Sequence, residues 1–297
     1  AEHIRNTPLN LRDRKSAHLG SASLQAVRRH LEEILAESDV REGGLRLRST
    51  IHSDIQQLLE RELATIRAAA GDGFEAAGIC LNNRTGGVRA IVGGAGSDSS
   101  TYNRALDARR DLGGIFTPFL YAAAAENGET PLLDQPVATG RTIGTDYLIR
   151  ITERFGFEGP FPDSDDLYRG AFAATPLELA TAAATLARRG TRPRTIFIRE
   201  VRDHAGRTLF QNRFSATPIL APASAAASLA MQFPDGEPRI LSGFSPARTD
   251  LWAVSFGTRH AICLWVGSDQ PKPLPDALAI QAAAEASLRR IALGLSS

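Results

Sequence analysis

Few residues of this chain combine the types and the spacing that nucleotide, metal or nucleophile chemistry requires. Gly93-Gly94-Ala95-Gly96 is rich in glycine but lacks the lysine of a phosphate-binding loop. The acidic run Asp163, Asp165 and Asp166 lacks the glycine and the terminal glutamate of an EF-hand loop. No histidine has a second histidine two to four positions away, and no Gly-x-Ser-x-Gly elbow exists. We therefore expect no cofactor and no metal.

The positive and negative charges of the chain are nearly balanced. The chain has 297 residues, a formal net charge of +1 and 43% hydrophobic residues, enough for one or two globular domains. A balanced charge gives no support to nucleic-acid binding. No apolar run approaches the ~20 residues of a membrane span, so we expect none in this chain. Because it begins at Ala1 without a methionine or a signal peptide, we interpret it as a processed or excised piece.

The first part of the chain is predicted to be a small N-terminal linker subdomain, residues 1–73. Residues 1–20 are polar and basic, as in an extended arm. A helix is predicted over 21–38, where apolar residues recur at helical spacing, and a short strand over 45–48. Asp54 is placed to cap a second helix.

The second part, residues 74–297, reads as an α+β domain. Strands are predicted over 74–81 and 87–92, which form a hairpin, and over 239–243, 251–256 and 260–266 near the end. Helices are predicted over 116–126, 144–155, 176–190, 222–232 and 275–293, whereas 131–141 is expected to be irregular and 163–166 to be a loop. This order predicts one sheet built from both ends of the segment, with helices packed on it.

One stretch resembles the nucleophile region of bifunctional, class A penicillin-binding proteins. There, Val-Gly-Gly precedes Asn-Arg-Ala, and a Gly-Ser-x-x-Lys-Pro-Phe follows. Further matches keep the order of that family along nearly the whole chain. The matching segments here are Pro8–Leu11, Leu45–Gln56, Val92–Gly94, Asn103–Ala105, Pro118–Phe119, Thr175–Ala180, Asp250–Trp252 and Leu264–Gly267.

The resemblance implies a penicillin-binding, serine β-lactamase-like fold, with a five-stranded antiparallel sheet in which the first and last strands are neighbours. The family catalyses acyl transfer with Ser-x-x-Lys, Ser-x-Asn and Lys-Thr-Gly motifs. All three are missing here, so no catalytic residue is assigned. The vestigial motif positions are Gly114 and Thr117 for the first motif, Thr139 and Arg141 for the second, and Leu241, Ser242 and Gly243 for the third.

We therefore expect a degenerate transpeptidase-like domain of a peptidoglycan synthase, periplasmic and without catalytic activity of its own. Its expected role is that of a scaffold or binding module, with an upstream glycosyltransferase domain of the same polypeptide, peptidoglycan or cell-wall proteins as partners. Two alternatives stay open. One is an acyl transferase or hydrolase that uses a non-standard nucleophile such as Thr117 or Ser245. The other is a binding module unrelated to the cell wall.

Loss of catalysis also predicts the state of the old groove. Because apolar side chains facing each other across a wet groove cost about 25 cal/mol per Å² left exposed, we expect the groove to be narrowed, with Ile115 and Leu241 partly buried. Exposure of both Gly114 and Ser242 would contradict this. The two cysteines, Cys80 and Cys263, are expected to lie close together, buried and reduced.

Overall fold

The computed structural model describes residues 21–36, 44–94, 102–236, 239–270 and 272–295. The predicted arm over residues 1–20 lies outside them. Along the chain, the elements are α1 (Ser21–Ile34), β1 (Arg46–Ser49), α2 (Ser53–Ala70), β2 (Glu75–Asn82), β3 (Val88–Val92), α3 (Arg104–Asp107), β4 (Arg110–Asp111), a 3-10 turn (Gly113–Phe116), α4 (Thr117–Glu126), α5 (Pro136–Ile143), α6 (Thr145–Phe155), α7 (Asp165–Tyr168), β5 (Ala173–Ala174), α8 (Pro176–Ala187), β6 (Thr191–Pro193), β7 (Ile198–Arg202), β8 (Thr208–Gln211), β9 (Ala216–Pro218), α9 (Pro222–Gln232), β10 (Ile240–Phe244), β11 (Asp250–Phe256), β12 (His260–Gly267) and α10 (Ala277–Gly294).

The main sheet has five antiparallel strands in the order β10-β11-β12-β2-β3. The predicted fold class is confirmed, and so is the pairing of the first strand of the sheet with the last, β2 with β12. Strand β10 forms one edge of the sheet, which leaves its outer side available to the segment that carries the first motif position. Strands that are far apart in sequence, β2 and β12, thus lie next to each other inside the sheet.

Helices cover both faces of this sheet and bury two apolar cores. Helices α4 and α8 pack on one face, with an aromatic cluster that includes Phe116 and Phe119. Helices α2 and α10 pack on the other face. Among the described residues, no helix combines the length and the apolar character needed to cross a bilayer.

The two cysteines lie on adjacent strands but face opposite cores. Cys80 pairs with Ile262 and Cys263 with Ile79, and successive residues of a strand point to opposite faces. Cys80 packs towards α2 and α10, and Cys263 towards α4 and α8. Both are buried and free, as expected, and burial raises the pKa of the Cys80 thiol to about 12.

Several local predictions differ from the structure. The segment 131–141 is not irregular throughout, because Pro136 opens helix α5 and Gly144 ends it with a positive φ. The loop predicted over 163–166 contains the start of α7, whose first turn is capped by the Ser164 hydroxyl. Helix α1 ends at Ile34, four residues earlier than predicted.

A smaller sheet joins the predicted linker subdomain to the middle of the chain. Strand β1 pairs with β7, which also pairs with β8 in a hairpin. The hydroxyl of Thr50, after β1, donates to the carbonyl oxygens of Val88 and Ile196. The boundary between the linker subdomain and the α+β domain, at residues 73 and 74, stays a prediction.

The capping box of α8 gives a first prediction. The Thr175 hydroxyl accepts a hydrogen bond from the Glu178 amide, and the Thr175 amide donates to the Glu178 carboxylate at 2.6 Å. Thr175→Ala should lower the free energy of unfolding by about 1 kcal/mol, because one amide of the first turn loses its acceptor. Thr65→Ala, in the exposed middle of α2, is the matched control and should change it by less than about 0.5 kcal/mol. Urea denaturation measures both, and equal effects would contradict the role of the cap.

His260, at the start of β12, gives a second prediction. Burial, with the nearby Arg89 and Arg259, lowers its pKa to about 4. The unfolded chain therefore binds a proton near pH 6.5 that the folded chain accepts only near pH 4, so stability falls as the pH drops through this window. His260→Gln, which keeps a polar group beside Asn82, should flatten that part of the stability profile. An unchanged pH profile in this variant would contradict the assignment.

Candidate functional site

Gly113 brings the segment before α4 into direct contact with the edge strand. Its φ is +59°, and an added Cβ would lie 2.2 Å from the carbonyl oxygen of Phe244 in β10. Its amide donates to the Gly170 carbonyl at 2.9 Å. Any side chain at this position would collide with the backbone of Phe244. A residue other than glycine would also be strained at this positive φ, so the close approach of the two segments requires glycine.

The next residue, Gly114, which the sequence resemblance predicts at the nucleophile position of the first motif, is exposed. A Cβ added there would have no heavy atom within 4 Å. Thr117, at the position of the motif's lysine, is half-buried as the first residue of α4. The structure therefore leaves room for a side chain at 114, where the sequence supplies none.

Ile115 packs against the edge strand β10, between the predicted first and third motif positions. Ile115 is fully buried, and a Cβ on Gly243 would lie 3.5 Å from its Cγ1. Leu241 is partly buried against the core that contains Ile115. This agrees with the expected burial of both side chains. Gly114 is exposed but Ser242 is half-buried. The exposure of both residues, which would contradict a narrowed groove, is therefore not observed.

The Ser242 side chain points away from Ile115 and towards α10. Its hydroxyl donates to the Glu285 carboxylate at 2.5 Å and accepts from the Gln281 amide at 2.7 Å, both on α10. Leu241 and Gly243 face the α4 side, as alternation along a strand requires. The predicted third motif position thus presents a leucine and a glycine to the α4 side.

The second motif position lies on α5 and has structural partners. The buried Thr139 hydroxyl accepts from the Leu132 amide at 2.9 Å, and the Tyr121 hydroxyl of α4 donates to the Leu132 carbonyl at 3.0 Å. Thr139 therefore fixes the segment before α5 against α4.

Arg141, two residues on, faces solvent and pairs with Asp165 of α7. Its hydrogen bond holds the pKa of the Asp165 carboxyl below its ordinary value. Between the two motif positions, a Cβ on Gly140 would lie 2.1 Å from the ring of Tyr168. No local sequence pattern predicts that Tyr168 covers this glycine, because the two residues belong to different helices.

Ser245, one of the two proposed substitute nucleophiles, is buried in a turn. Its hydroxyl accepts from the Asp250 amide at 3.1 Å and lies 3.3 Å from the Thr249 hydroxyl. This geometry gives the hydroxyl a structural task in the turn between β10 and β11.

Two tryptophans hold the surroundings of the site. Trp252 of β11 donates its indole N–H to the carbonyl oxygen of Asp111 at 2.9 Å, immediately before the 3-10 turn. Trp265 of β12 donates to the buried Asp250 carboxylate at 2.9 Å. Burial, and then the charge of Asp250, raise the pKa of Asp111. Within the described residues, no group of three His, Cys, Asp or Glu side chains is arranged to hold a metal ion.

Comparisons with known proteins relate this chain to penicillin-binding proteins. No family model matches the chain. It is 24% identical to penicillin-binding protein 1B of Vibrio cholerae over 87% of the chain and 42% of that protein. It is 22% identical to penicillin-binding protein 2D of Bacillus subtilis over 91% of the chain and 48% of that protein. The chain thus spans less than half the length of these relatives.

Solved structures with the same fold come from this group of proteins. The structure of PonA1 from Mycobacterium tuberculosis in complex with penicillin V superposes with a TM-score of 0.77, at 18% identity, over 92% of this chain and 93% of that one. Penicillin-binding protein 1A of Haemophilus influenzae gives a TM-score of 0.65 at 18% identity, over 74% of this chain and 48% of that one. The chain is homologous to class A penicillin-binding proteins and has the fold of a penicillin-binding transpeptidase domain.

The neighbouring glycines 113 and 114 give a third prediction. Gly114→Ala should change the free energy of unfolding by less than about 0.5 kcal/mol, because its Cβ points into open space. Gly113→Ala should destabilise by about 2 kcal/mol or more, because it combines a positive φ with a backbone clash. Urea denaturation of the two variants compares adjacent positions directly. Similar losses in both would show that the turn is not held as described.

Proposed function

We propose that this chain is a degenerate transpeptidase-like domain of a peptidoglycan synthase that does not catalyse acyl transfer and acts as a scaffold or binding module. The observation that carries the proposal is Gly114, a residue without a side chain at the nucleophile position of an otherwise intact frame. A location on the outer face of a bacterial inner membrane follows from this role.

The chemistry of acyl transfer supports the absence of activity. A hydroxyl nucleophile needs a base to remove its proton, and its product is an acyl-enzyme. Gly114 offers no hydroxyl, Thr117 cannot act as a base, and Leu241 places an apolar side chain where the substrate carboxylate would require a cation. Each of the three steps of substrate binding, proton removal and attack therefore lacks its residue.

The contacts of α1 support a fixed connection to an upstream glycosyltransferase domain, the partner we propose. Arg29 of α1 makes two hydrogen bonds to the Asp107 carboxylate, at 2.6 and 2.9 Å. Asn103 donates to the Ala22 carbonyl at 3.1 Å. Helix α1 is thus held on the Asn103–Asp107 segment, which leads directly to the 3-10 turn. An upstream domain would be positioned relative to the site by this joint.

Exposure to penicillin tests the proposed function. After incubation with excess penicillin, intact-protein mass spectrometry should show the unmodified mass, because position 114 supplies no atom to acylate. A class A penicillin-binding protein that carries the complete Ser-x-x-Lys motif is the positive control and should gain one adduct. A stoichiometric adduct on this chain would contradict the proposal, and peptide mapping would then show whether Thr117 carries it.

A further inference from the structure

A cavity of about 650 Å³ lies between the end of α6, the start of α8 and the β6–β9 pair. Its volume falls within the range of ligand pockets, roughly 300–1,000 Å³. Three arginines line it: Arg154 of α6, Arg192 of β6, and Arg194 directly after β6. It shares none of its lining residues with the vestigial motifs.

Both acidic residues at the cavity pair with the same cation, Arg109. Glu178 accepts hydrogen bonds from the Thr175 and Glu158 amides, and its carboxylate pairs with Arg109 at 3.1 Å. Glu158 also pairs with Arg109, at 3.5 Å. Counted with Arg109, four arginines stand against two carboxylates, so a net charge of +2 (4 − 2) remains at the cavity.

Among the described residues, none of Arg154, Arg192 and Arg194 forms an ion pair with a carboxylate. Arg192 is held in place by the backbone. Its guanidinium lies against Gly156, where an added Cβ would be 2.4 Å away, and it donates to the Arg154 carbonyl at 3.4 Å. Three arginines that line one cavity and form no ion pair leave an excess of positive charge there, which suits an anionic ligand.

We propose that this cavity binds an acidic peptide in extended conformation. Arg192 and Arg194 are two residues apart on one side of an extended segment that pairs with β9, as the bond from the Arg194 amide to the Ser215 carbonyl shows. Residues i and i+2 of a strand are separated by about 6.6 Å, the spacing at which alternate carboxylates of an extended peptide would meet the two guanidiniums. Arginine's planar fork suits a carboxylate in two-bond geometry.

The remaining lining fits a peptide better than a bare anion. Leu177, Pro218 and Ile219 supply apolar surface beside the arginines, and the exposed Thr217 supplies a hydroxyl. Peptide side chains between the carboxylates would contact the apolar surface. Inorganic phosphate would use the guanidiniums alone.

The test uses the whole chain and a fluorescein-labelled octapeptide that alternates glutamate and alanine. Fluorescence anisotropy should show saturable binding, weaker at higher salt because exposed charges are screened. Arg192→Gln/Arg194→Gln should weaken binding by about tenfold or more, since two charge-assisted contacts are lost. Arg61→Gln/Arg289→Gln, which removes the same charge from α2 and α10 on the opposite face of the sheet, should bind like the parent.

Several results would overturn the proposal. Equal weakening by the control pair would show non-specific attraction to net charge. Equal binding of a glutamine–alanine octapeptide would show that carboxylates are not recognised, and full competition by equimolar inorganic phosphate would show a simple anion site. If the double variant loses its folded circular dichroism spectrum, Arg194→Gln alone decides, because its exposed side chain makes no hydrogen bond among the described residues. A failure here leaves the penicillin result unaffected, because the two sites share no residue.

Discussion

The close approach of Gly113 to the edge strand is the constraint on which the rest of the site depends. The Phe244 carbonyl stands where a Cβ of residue 113 would be, and the Gly113 carbonyl stands equally close to where a Cβ of Gly170 would be. Three backbone segments therefore meet without a side chain between them, and the Trp252 indole fixes the carbonyl of Asp111 just before. This contact sets the direction of α4, exposes Gly114 and inserts Ile115 against the edge strand.

Folding and acyl-transfer chemistry depend on different atoms in this architecture. The frame is held by backbone contacts at glycines and by tryptophan hydrogen bonds, none of which uses a nucleophile or a base. The residues at the predicted motif positions make structural contacts. Thr139 fixes Leu132, Ser242 bonds to α10, and Leu241 packs on the core. A leucine that packs on the core needs no polar partner, whereas a buried cation does. Folding therefore tolerates Leu241 at the predicted third motif position more easily than an unpaired cation.

The sequence predicts best those features whose cause is local. Apolar runs predicted the strands of the main sheet, and the helix predicted from 176 begins at Pro176, with Thr175 as its cap. Helix α5 was missed because its composition is mixed and its supports come from distant segments, the Tyr168 ring on Gly140 and the Leu132 amide on Thr139. The arginine-lined cavity is equally invisible in sequence. Arg154 is separated from Arg192 by 38 positions, and the neutralisation of Glu178 by Arg109 spans 69.

The choice of arginine over lysine connects the lost chemistry with the proposed binding. Of the 34 basic residues, Lys15 and Lys272 are the only lysines, and Lys272 lies with its Nζ 4.2 Å from the centre of the Phe74 ring. An arginine stays protonated at every physiological pH, so it cannot take the proton of a nucleophile as a lysine can. The same permanent charge and planar fork make it a better ligand for carboxylates. A chain that is cationic almost entirely through arginine is therefore equipped to hold anionic groups, whereas it offers only two lysines that could act as the base of an acyl transfer.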